Sequence, residues 1–172
     1  KCPVFLTIDC CHSGSACDLT YSFSIINNQY VSRRVEHRRK MKKYEYDGKV
    51  FSIVYRDKDW VKGLNFITPD DYYIQAGSWW YDKGKVLDSH THNVFERKAY
   101  RTQESVYVKK GSMKVTLFSE DHDYLDEYEL NEGDLAVFVY GGHGYEILED
   151  DTKIIETKNG PFTGVENDKV KF

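Results

Sequence analysis

The chain has 172 residues, with 24 lysines and arginines against 28 aspartates and glutamates, and an aromatic content of 15%. This length fits one domain, or one domain with an extension, and the composition argues against wholesale disorder. A net charge of −4 gives no general argument for nucleic-acid binding, and no apolar run approaches the roughly 20 residues that a membrane-spanning helix needs.

The cysteines are clustered at the start of the chain. All four cysteines lie in the first seventeen residues: Cys2, Cys10, Cys11 and Cys17. Their spacing matches no common zinc pattern, and exposed cysteines suit a reducing, cytoplasmic setting.

Residues 4–24, with Asp9-Cys10-Cys11-His12 at their centre, resemble the catalytic-cysteine segment of metacaspases. The resemblance implies Cys11 as a nucleophile and Asp9 as a residue of the substrate pocket. Caspase-type peptidases carry the histidine base about fifty residues before the cysteine, whereas ten residues precede Cys11 here. We therefore expect no peptidase activity from this chain alone, although a fragment of a caspase-type peptidase fusion remains one hypothesis.

The basic run 33–43 predicts the domain boundary. It lies between an N-terminal extension, residues 1–43, and a larger domain, residues 44–172. Residues 1–86 carry fourteen basic and ten acidic side chains, and residues 87–172 carry ten and eighteen. A solvated connector is the ordinary interpretation of such a run, and a patch for an anionic partner is the alternative.

After this run the pattern predicts short strands with glycine or asparagine/aspartate turns. The first three are residues 49–55, 64–67 and 72–80. Three β-hairpins are then expected, joining 105–109 to 112–118, 127–130 to 135–139 and 145–148 to 152–156. Alternation in the first hairpin places four side chains on inward faces: Val106, Val108, Val115 and Leu117. The pattern favours an antiparallel all-β sandwich or barrel, with no long helix.

Three histidines and a glutamate recur along these strands: His90, His92, Glu104 and His143. Alternate residues of a strand share a face, so His90 and His92 can converge on one point. Imidazole nitrogens with one carboxylate suit a divalent transition metal such as Fe, Mn, Ni, Co or Zn. Two surface histidines in a turn are the alternative interpretation, and Glu96 is a rival carboxylate.

The order of these residues resembles the cupin family. His90-x-His92, Glu104 and Gly111 match its first motif, and residues 133–143, from Gly-Asp to His, match the shape of its second. The gap before Glu104 is longer than usual, and the second motif lacks its proline. Residues 66–70, 90–93, 102–104, 141–144 and 158–161 look like a small cupin group often encoded among genes for surface-glycan and lipopolysaccharide sugar biosynthesis.

The resemblance implies a cupin (jelly-roll) β-barrel with an N-terminal extension and one metal held by His90, His92, Glu104 and His143. It also implies a small polar ligand, a sugar or sugar nucleotide. A metal could polarise a sugar carbonyl in isomerase or epimerase chemistry, or bind dioxygen as iron. Without a metal, His90 or His143 could serve as the acid/base group. A non-catalytic sugar-binding or regulatory module is the alternative.

Candidate ligand-binding side chains follow from residue type: Tyr107, Arg97, Arg101 and Tyr145. Together with Trp79 and Trp80, the tyrosines could stack on a sugar, although strand aromatics often belong to a core. The arginines could meet an anionic ligand, although they could equally be solvated. We expect a homodimer, because cupins commonly pair through sheet edges, with no nucleic-acid partner and no membrane span.

Overall fold

The computed structural model describes residues 21–26, 29–34 and 41–172. The chain divides into two units, Lys1–Arg39 and Lys40–Phe172. In the first unit, β1 (Tyr21–Ile26) and β2 (Gln29–Arg34) form an antiparallel pair in which Ile26 lies opposite Gln29. The predicted peptidase-like residues Asp9 and Cys11 lie outside the described residues.

The second unit contains ten strands in three antiparallel sheets. A five-stranded sheet has the order β12-β7-β10-β4-β3, a three-stranded sheet has the order β11-β8-β9, and β5 pairs with β6. The strands are β3 (Lys42–Tyr46), β4 (Lys49–Tyr55), β5 (Gly63–Phe66), β6 (Gly77–Trp80), β7 (Glu104–Lys110), β8 (Ser112–Phe118), β9 (Tyr124–Asn131), β10 (Leu135–Phe138), β11 (Gly142–Ile147) and β12 (Lys153–Lys158).

Helix is confined, within the described residues, to a 3₁₀ turn at Asp57–Asp59 and to α1 (Val165–Asp168). No helix in this described part of the chain is both long and apolar enough to cross a membrane. The prediction of an antiparallel all-β domain is confirmed.

One hydrophobic core joins the five-stranded and three-stranded sheets. It contains the predicted inward residues, Val106 and Val108 of β7 with Val115 and Leu117 of β8, and all four are buried. The second face of the five-stranded sheet has its own core, which includes Ile53 and Val137. Because alternate residues point to opposite faces, the central strands β4 and β10 contribute to both cores.

The three predicted hairpins are wrong. The strands of each predicted pair belong to different sheets: β7 and β8, β9 and β10, and β11 and β12. The physical reason is that each short turn carries the chain from one sheet to the other, so the strands face each other across the core and share no backbone ladder. At the first turn Gly111 has φ +79°, and a Cβ there would collide with Thr152.

A buried carboxylate fixes the turn between β9 and β10. Asp134 accepts hydrogen bonds from the Arg56 guanidinium at 2.6 Å and from the backbone N–H groups of Asp57 at 3.0 Å and Asn131 at 2.9 Å. Arg56 also donates to the carbonyl oxygen of Glu129 at 2.6 Å. The cluster therefore ties the start of β10 to the end of β4.

Residues 81–102, named the arm below, connect β6 to β7 without forming a strand or helix. Every residue of the arm is exposed. Within the described part of the chain, its one backbone hydrogen bond to another turn or loop residue runs from the N–H of Lys85 to the carbonyl oxygen of Asp82, at 3.3 Å.

Candidate functional site

A cavity of about 550 Å³ lies beside the end of the core that both sheets share. Its walls come from the start of β7, the end of β10, the start of β11 and the C-terminal residues. The side chains that matter for its chemistry are Arg101, Glu104, Phe138, His143, Tyr145 and Lys169.

Glu104 is the buried acid of this cavity. It begins β7 and lies opposite Phe138 of β10 and Lys158 of β12 in the sheet register. Its side chain is only 4% exposed, and its Oε1 atom lies 3.3 Å from Nε2 of His143. The hydroxyl of Tyr145 donates a hydrogen bond to the same Oε1 atom at 2.8 Å.

The partners of Glu104 come from the other sheet. His143 and Tyr145 are alternate residues of β11, so they point to the same face. The β10–β11 corner that delivers them requires glycine at Gly141, which has φ +66° and where a Cβ would collide with the Phe118 carbonyl. The Phe138 ring stacks on the His143 imidazole at 4.3 Å between centroids and thereby holds its plane.

Burial and charge set the protonation of this group. Burial disfavours the charged form of Glu104, but the contacts with His143 and Tyr145, together with the charges of His143 and Lys169, outweigh it and hold its pKa below the ordinary 4.5. Burial and the nearby Glu104 charge raise the pKa of Tyr145 well above its ordinary value. Near neutral pH the site therefore presents a carboxylate and a phenol beside the imidazole of His143.

Ion pairs surround the cavity, whose lining carries two cations, Arg101 and Lys169, and three carboxylates, Glu104, Glu120 and Asp168. Glu120 pairs with Lys49 at 2.6 Å and with Arg101 at 3.5 Å, so two cations share one carboxylate. Arg101 also lies over the Tyr140 ring at 3.8 Å. Lys169 faces the cavity and makes no ion pair within the described residues.

The C-terminal residues close one side of the cavity. Asp168 pairs with Lys158 at 2.8 Å and accepts a hydrogen bond from the Thr102 hydroxyl at 2.9 Å. The Phe172 ring stacks on His122 at 3.9 Å and meets Phe118 edge-on at 5.1 Å. These contacts place Lys169 and Phe172 against the cavity without any strand pairing.

The structure brings together some of the predicted site residues. Glu104, His143, Tyr145 and Arg101 all line the cavity. Tyr107 lies three positions after Glu104 on β7 and therefore points to the opposite face of that sheet. Arg97 lies on the arm, with its guanidinium over the Phe95 ring at 3.9 Å.

The two histidines of the HxH pair lie on the arm. Their rings are 5.1 Å apart and edge-on, and Nδ1 of His90 is 3.2 Å from the carbonyl oxygen of Asp88. Neither His90 nor His92 lines the cavity. The rival carboxylate Glu96 is also on the arm, 3.7 Å from Lys98.

The four predicted metal ligands therefore lie in two separate places, the cavity and the arm. Among the residues that the structure describes, no group of three or more histidine, cysteine, aspartate or glutamate side chains is placed to hold a metal ion. Glu104 and His143 meet, while His90 and His92 lie apart from them. A single chain in this conformation does not fit the four-donor set.

Sequence reasoning missed most of the cavity lining, including Phe138, Lys169 and Phe172. Phe138 follows the Gly-Asp motif in a hydrophobic strand, but its place beside Glu104 depends on the pairing of β10 with β7, which the expected hairpins concealed. Lys169 and Phe172 lie outside any predicted strand, and no sequence pattern marks them.

Comparison with family models, curated proteins and solved structures finds no match for this chain.

Proposed function

We propose that the cavity binds a small polar ligand, a sugar or sugar nucleotide, and that His143, oriented by Glu104 and Tyr145, transfers protons on it in isomerase or epimerase chemistry. The observation that carries the proposal is the imidazole of His143, 3.3 Å from a buried carboxylate that also accepts the Tyr145 hydroxyl. An imidazole oriented by a carboxylate is a common general base for removing a proton from the carbon beside a carbonyl group.

We also propose that the domain is a cupin of jelly-roll type. Support comes from the strand order, in which three short turns in succession carry the chain between two facing sheets. The matching motif residues Glu104 and His143, distant in the chain, meet at the cavity as the resemblance implies.

In the proposed reaction, Nδ1 of His143, the ring nitrogen that does not face Glu104, removes the proton from the hydroxyl-bearing carbon beside a sugar carbonyl. The C–H electron pair forms an enediolate whose negative charge lies on the former carbonyl oxygen. His143 returns the proton to the former carbonyl carbon while the neighbouring hydroxyl passes its proton to the enolate oxygen, which completes an isomerisation. Glu104 stabilises the imidazolium that forms, and Tyr145 fixes the Glu104 carboxylate through its hydrogen bond. Phe138 keeps the imidazole plane in place during both transfers.

The size and polarity of the cavity support a sugar-sized ligand. A volume of about 550 Å³ lies within the range of small-molecule sites. Carboxylate, imidazole and guanidinium groups can bind sugar hydroxyls, and the aromatic rings of Phe138 and Tyr145 present apolar surface to a sugar ring.

The test uses a panel of free sugars, sugar phosphates and nucleoside-diphosphate sugars. Binding is measured by saturation-transfer NMR, and proton transfer by deuterium uptake from D₂O at the carbon beside the carbonyl. We expect His143→Gln to slow the uptake about 10²-fold or more while leaving binding in place. Tyr107→Phe, on the opposite face of β7, serves as the control. It should leave both ligand binding and deuterium uptake unchanged.

Two outcomes would contradict this assignment. Binding without deuterium uptake in the unaltered protein would favour the non-catalytic sugar-binding module. Uptake that survives His143→Gln at the unaltered rate would remove His143 from the reaction.

A further inference from the structure

Lys169 is a cation of the cavity lining whose side chain has no anionic partner among the described residues. The other arginine or lysine of the lining, Arg101, shares the Glu120 carboxylate with Lys49 and lies over the Tyr140 ring. An ammonium group offers three N–H donors and no acceptor. In this part of the chain, Lys169 is therefore the lining cation that is left to bind a ligand.

The backbone that carries Lys169 is fixed on both sides. Before it, Asp168 pairs with Lys158 at 2.8 Å, and the N–H of Lys169 donates to the carbonyl oxygen of Val165 at 3.0 Å. After it, Phe172 stacks on a histidine ring of the β8–β9 turn. A long side chain that starts from a fixed backbone loses less freedom on binding than one on a loose segment. The segment thus keeps the lysine beside the cavity at a low entropic cost.

The charge of Lys169 acts inside the cavity. Burial raises the pKa of Glu104, the contacts with His143 and Tyr145 and the charge of His143 lower it, and the charge of Lys169 lowers it further. Electrostatic interactions weaken with distance and are screened by water, so this lysine lies near enough to influence a charge next to His143. The same ammonium would therefore stabilise a negative charge that develops on a ligand at this place.

The proposed isomerisation develops a negative charge that needs a partner. Removal of the C–H proton by His143 leaves a negatively charged enediolate oxygen in a cavity that already contains the buried Glu104 carboxylate. The imidazolium that forms faces Glu104, and the Tyr145 hydroxyl donates to the same carboxylate, so both are committed to Glu104 rather than to the ligand oxygen. A cation held at that oxygen lowers the barrier, because it binds the charge that develops in the transition state.

We propose that Lys169 is the electrophile of this reaction: its ammonium donates a hydrogen bond to the sugar carbonyl oxygen and stabilises the enediolate. This role of Lys169 rests on the proposed function. As the C–H electron pair forms the C=C bond, the C=O π pair moves to the oxygen that Lys169 contacts, and the ammonium keeps its protons throughout. The charge leaves that oxygen when the neighbouring hydroxyl passes its proton to it. Asp168, which fixes the backbone next to Lys169, acts as a positioning residue.

The test separates turnover from binding in Lys169→Met, which removes the ammonium and keeps most of the stem. The probe is the member of the sugar panel that takes up deuterium fastest, and kcat and KM are measured for this uptake in D₂O. We expect kcat to fall about 10²-fold or more while KM changes by less than about tenfold, because the full negative charge is absent from the ground state. Lys169→Arg keeps the charge and should recover part of kcat. Lys171→Met removes a lysine of the same segment that lies outside the cavity lining, and this control should leave both constants unchanged.

The outcomes distinguish failure of this role from failure of the proposed function. If His143→Gln slows uptake and Lys169→Met keeps the unaltered kcat, the proposed function stands and the role of Lys169 is wrong. A change in KM alone would show that Lys169 binds the ligand equally in the ground state and the transition state, which also overturns the role. So would an equal loss of kcat in Lys171→Met. If the unaltered protein exchanges no member of the panel, the proposed function fails and the role of Lys169 fails with it.

A double-mutant cycle tests whether Asp168 acts through Lys169. Asp168→Ala removes the contacts with Lys158 and Thr102 that fix the backbone next to the lysine. We expect it to lower kcat about tenfold in the unaltered chain and to have no further effect on kcat in the Lys169→Met background, because two residues that act as one unit are not additive. An equal fall of kcat in both backgrounds would overturn the positioning role of Asp168.

Discussion

The Nε2 atom of His143 lies 3.3 Å from the Oε1 atom of Glu104 although the two residues belong to different sheets. Together with the hydrogen bond from Tyr145 to Glu104, this contact joins the two sheets at the cavity. It makes the geometry of the site depend on how the sheets face each other. The same pair therefore contributes to stability and to the proposed chemistry.

Glu104→Gln is expected to change how stability depends on pH. The folded-state pKa of Glu104 is held below 4.5, so below that pH the unfolded state binds more protons than the folded state. The stabilisation from the carboxylate is fully present above pH 4.5 and is lost as the pH falls through the lower folded value. Urea unfolding at pH values from about 7 down to about 3 measures it.

We expect Glu104→Gln to unfold with about 1–3 kcal/mol less free energy than the unaltered protein near neutral pH. The difference should narrow below pH 4.5, because glutamine does not titrate. Glu132→Gln, in the exposed β9–β10 turn, is the control. It should leave the decline in the free energy of unfolding at low pH unchanged. A deficit that is constant with pH would show that the carboxylate charge is not responsible.

Lys169→Ala tests whether the charge of this lysine, which lines the cavity, selects anionic ligands. We expect it to weaken binding of a sugar phosphate roughly fivefold more than binding of the same sugar without phosphate, because only the former gains a charge contact. The difference should shrink at high salt. Lys171→Ala, two residues later and outside the cavity lining, should affect both ligands equally in titration calorimetry. An equal loss for both ligands in the Lys169 variant would argue against charge selection.

Asp134→Ala is expected to lower the free energy of unfolding by about 3 kcal/mol. It removes the acceptor of one guanidinium and two backbone N–H groups and leaves Arg56 partly buried without its carboxylate. Asp121→Ala, in the exposed β8–β9 turn, should change stability by less than about 0.5 kcal/mol. Chemical denaturation compares the two variants, and similar losses would show that the buried cluster has no special weight.

The strands could be predicted because the period of two in apolar residues is a local property of the chain. Predicted strand 49–55 coincides with β4, and the inward faces of β7 and β8 agree residue by residue. Strand pairing could not be predicted in the same way. A short glycine turn is compatible with a hairpin and equally with a crossing between facing sheets, and the choice depends on which surfaces the remaining strands bury.

The candidate site, like the strands, could be predicted from the sequence only in part. The resemblance brought Glu104 and His143 together in the prediction, and the structure places them in contact. The position of His90 and His92 could not be predicted from their spacing, because alternation says only that they share a face. Where that face points depends on how residues 81–102 pack, and these residues form no strand whose pairing would fix it.

The C-terminal residues affect how fast the proposed ligand would enter and leave the cavity. They are held over the cavity by the Lys158–Asp168 ion pair and the Phe172–His122 stack, with no ladder of backbone hydrogen bonds. Segments attached in this way open at a small fraction of the cost of global unfolding. Entry and release of the proposed ligand would therefore proceed by lifting this short segment while both sheets stay in place, so its residence time would be adjustable independently of the stability of the domain.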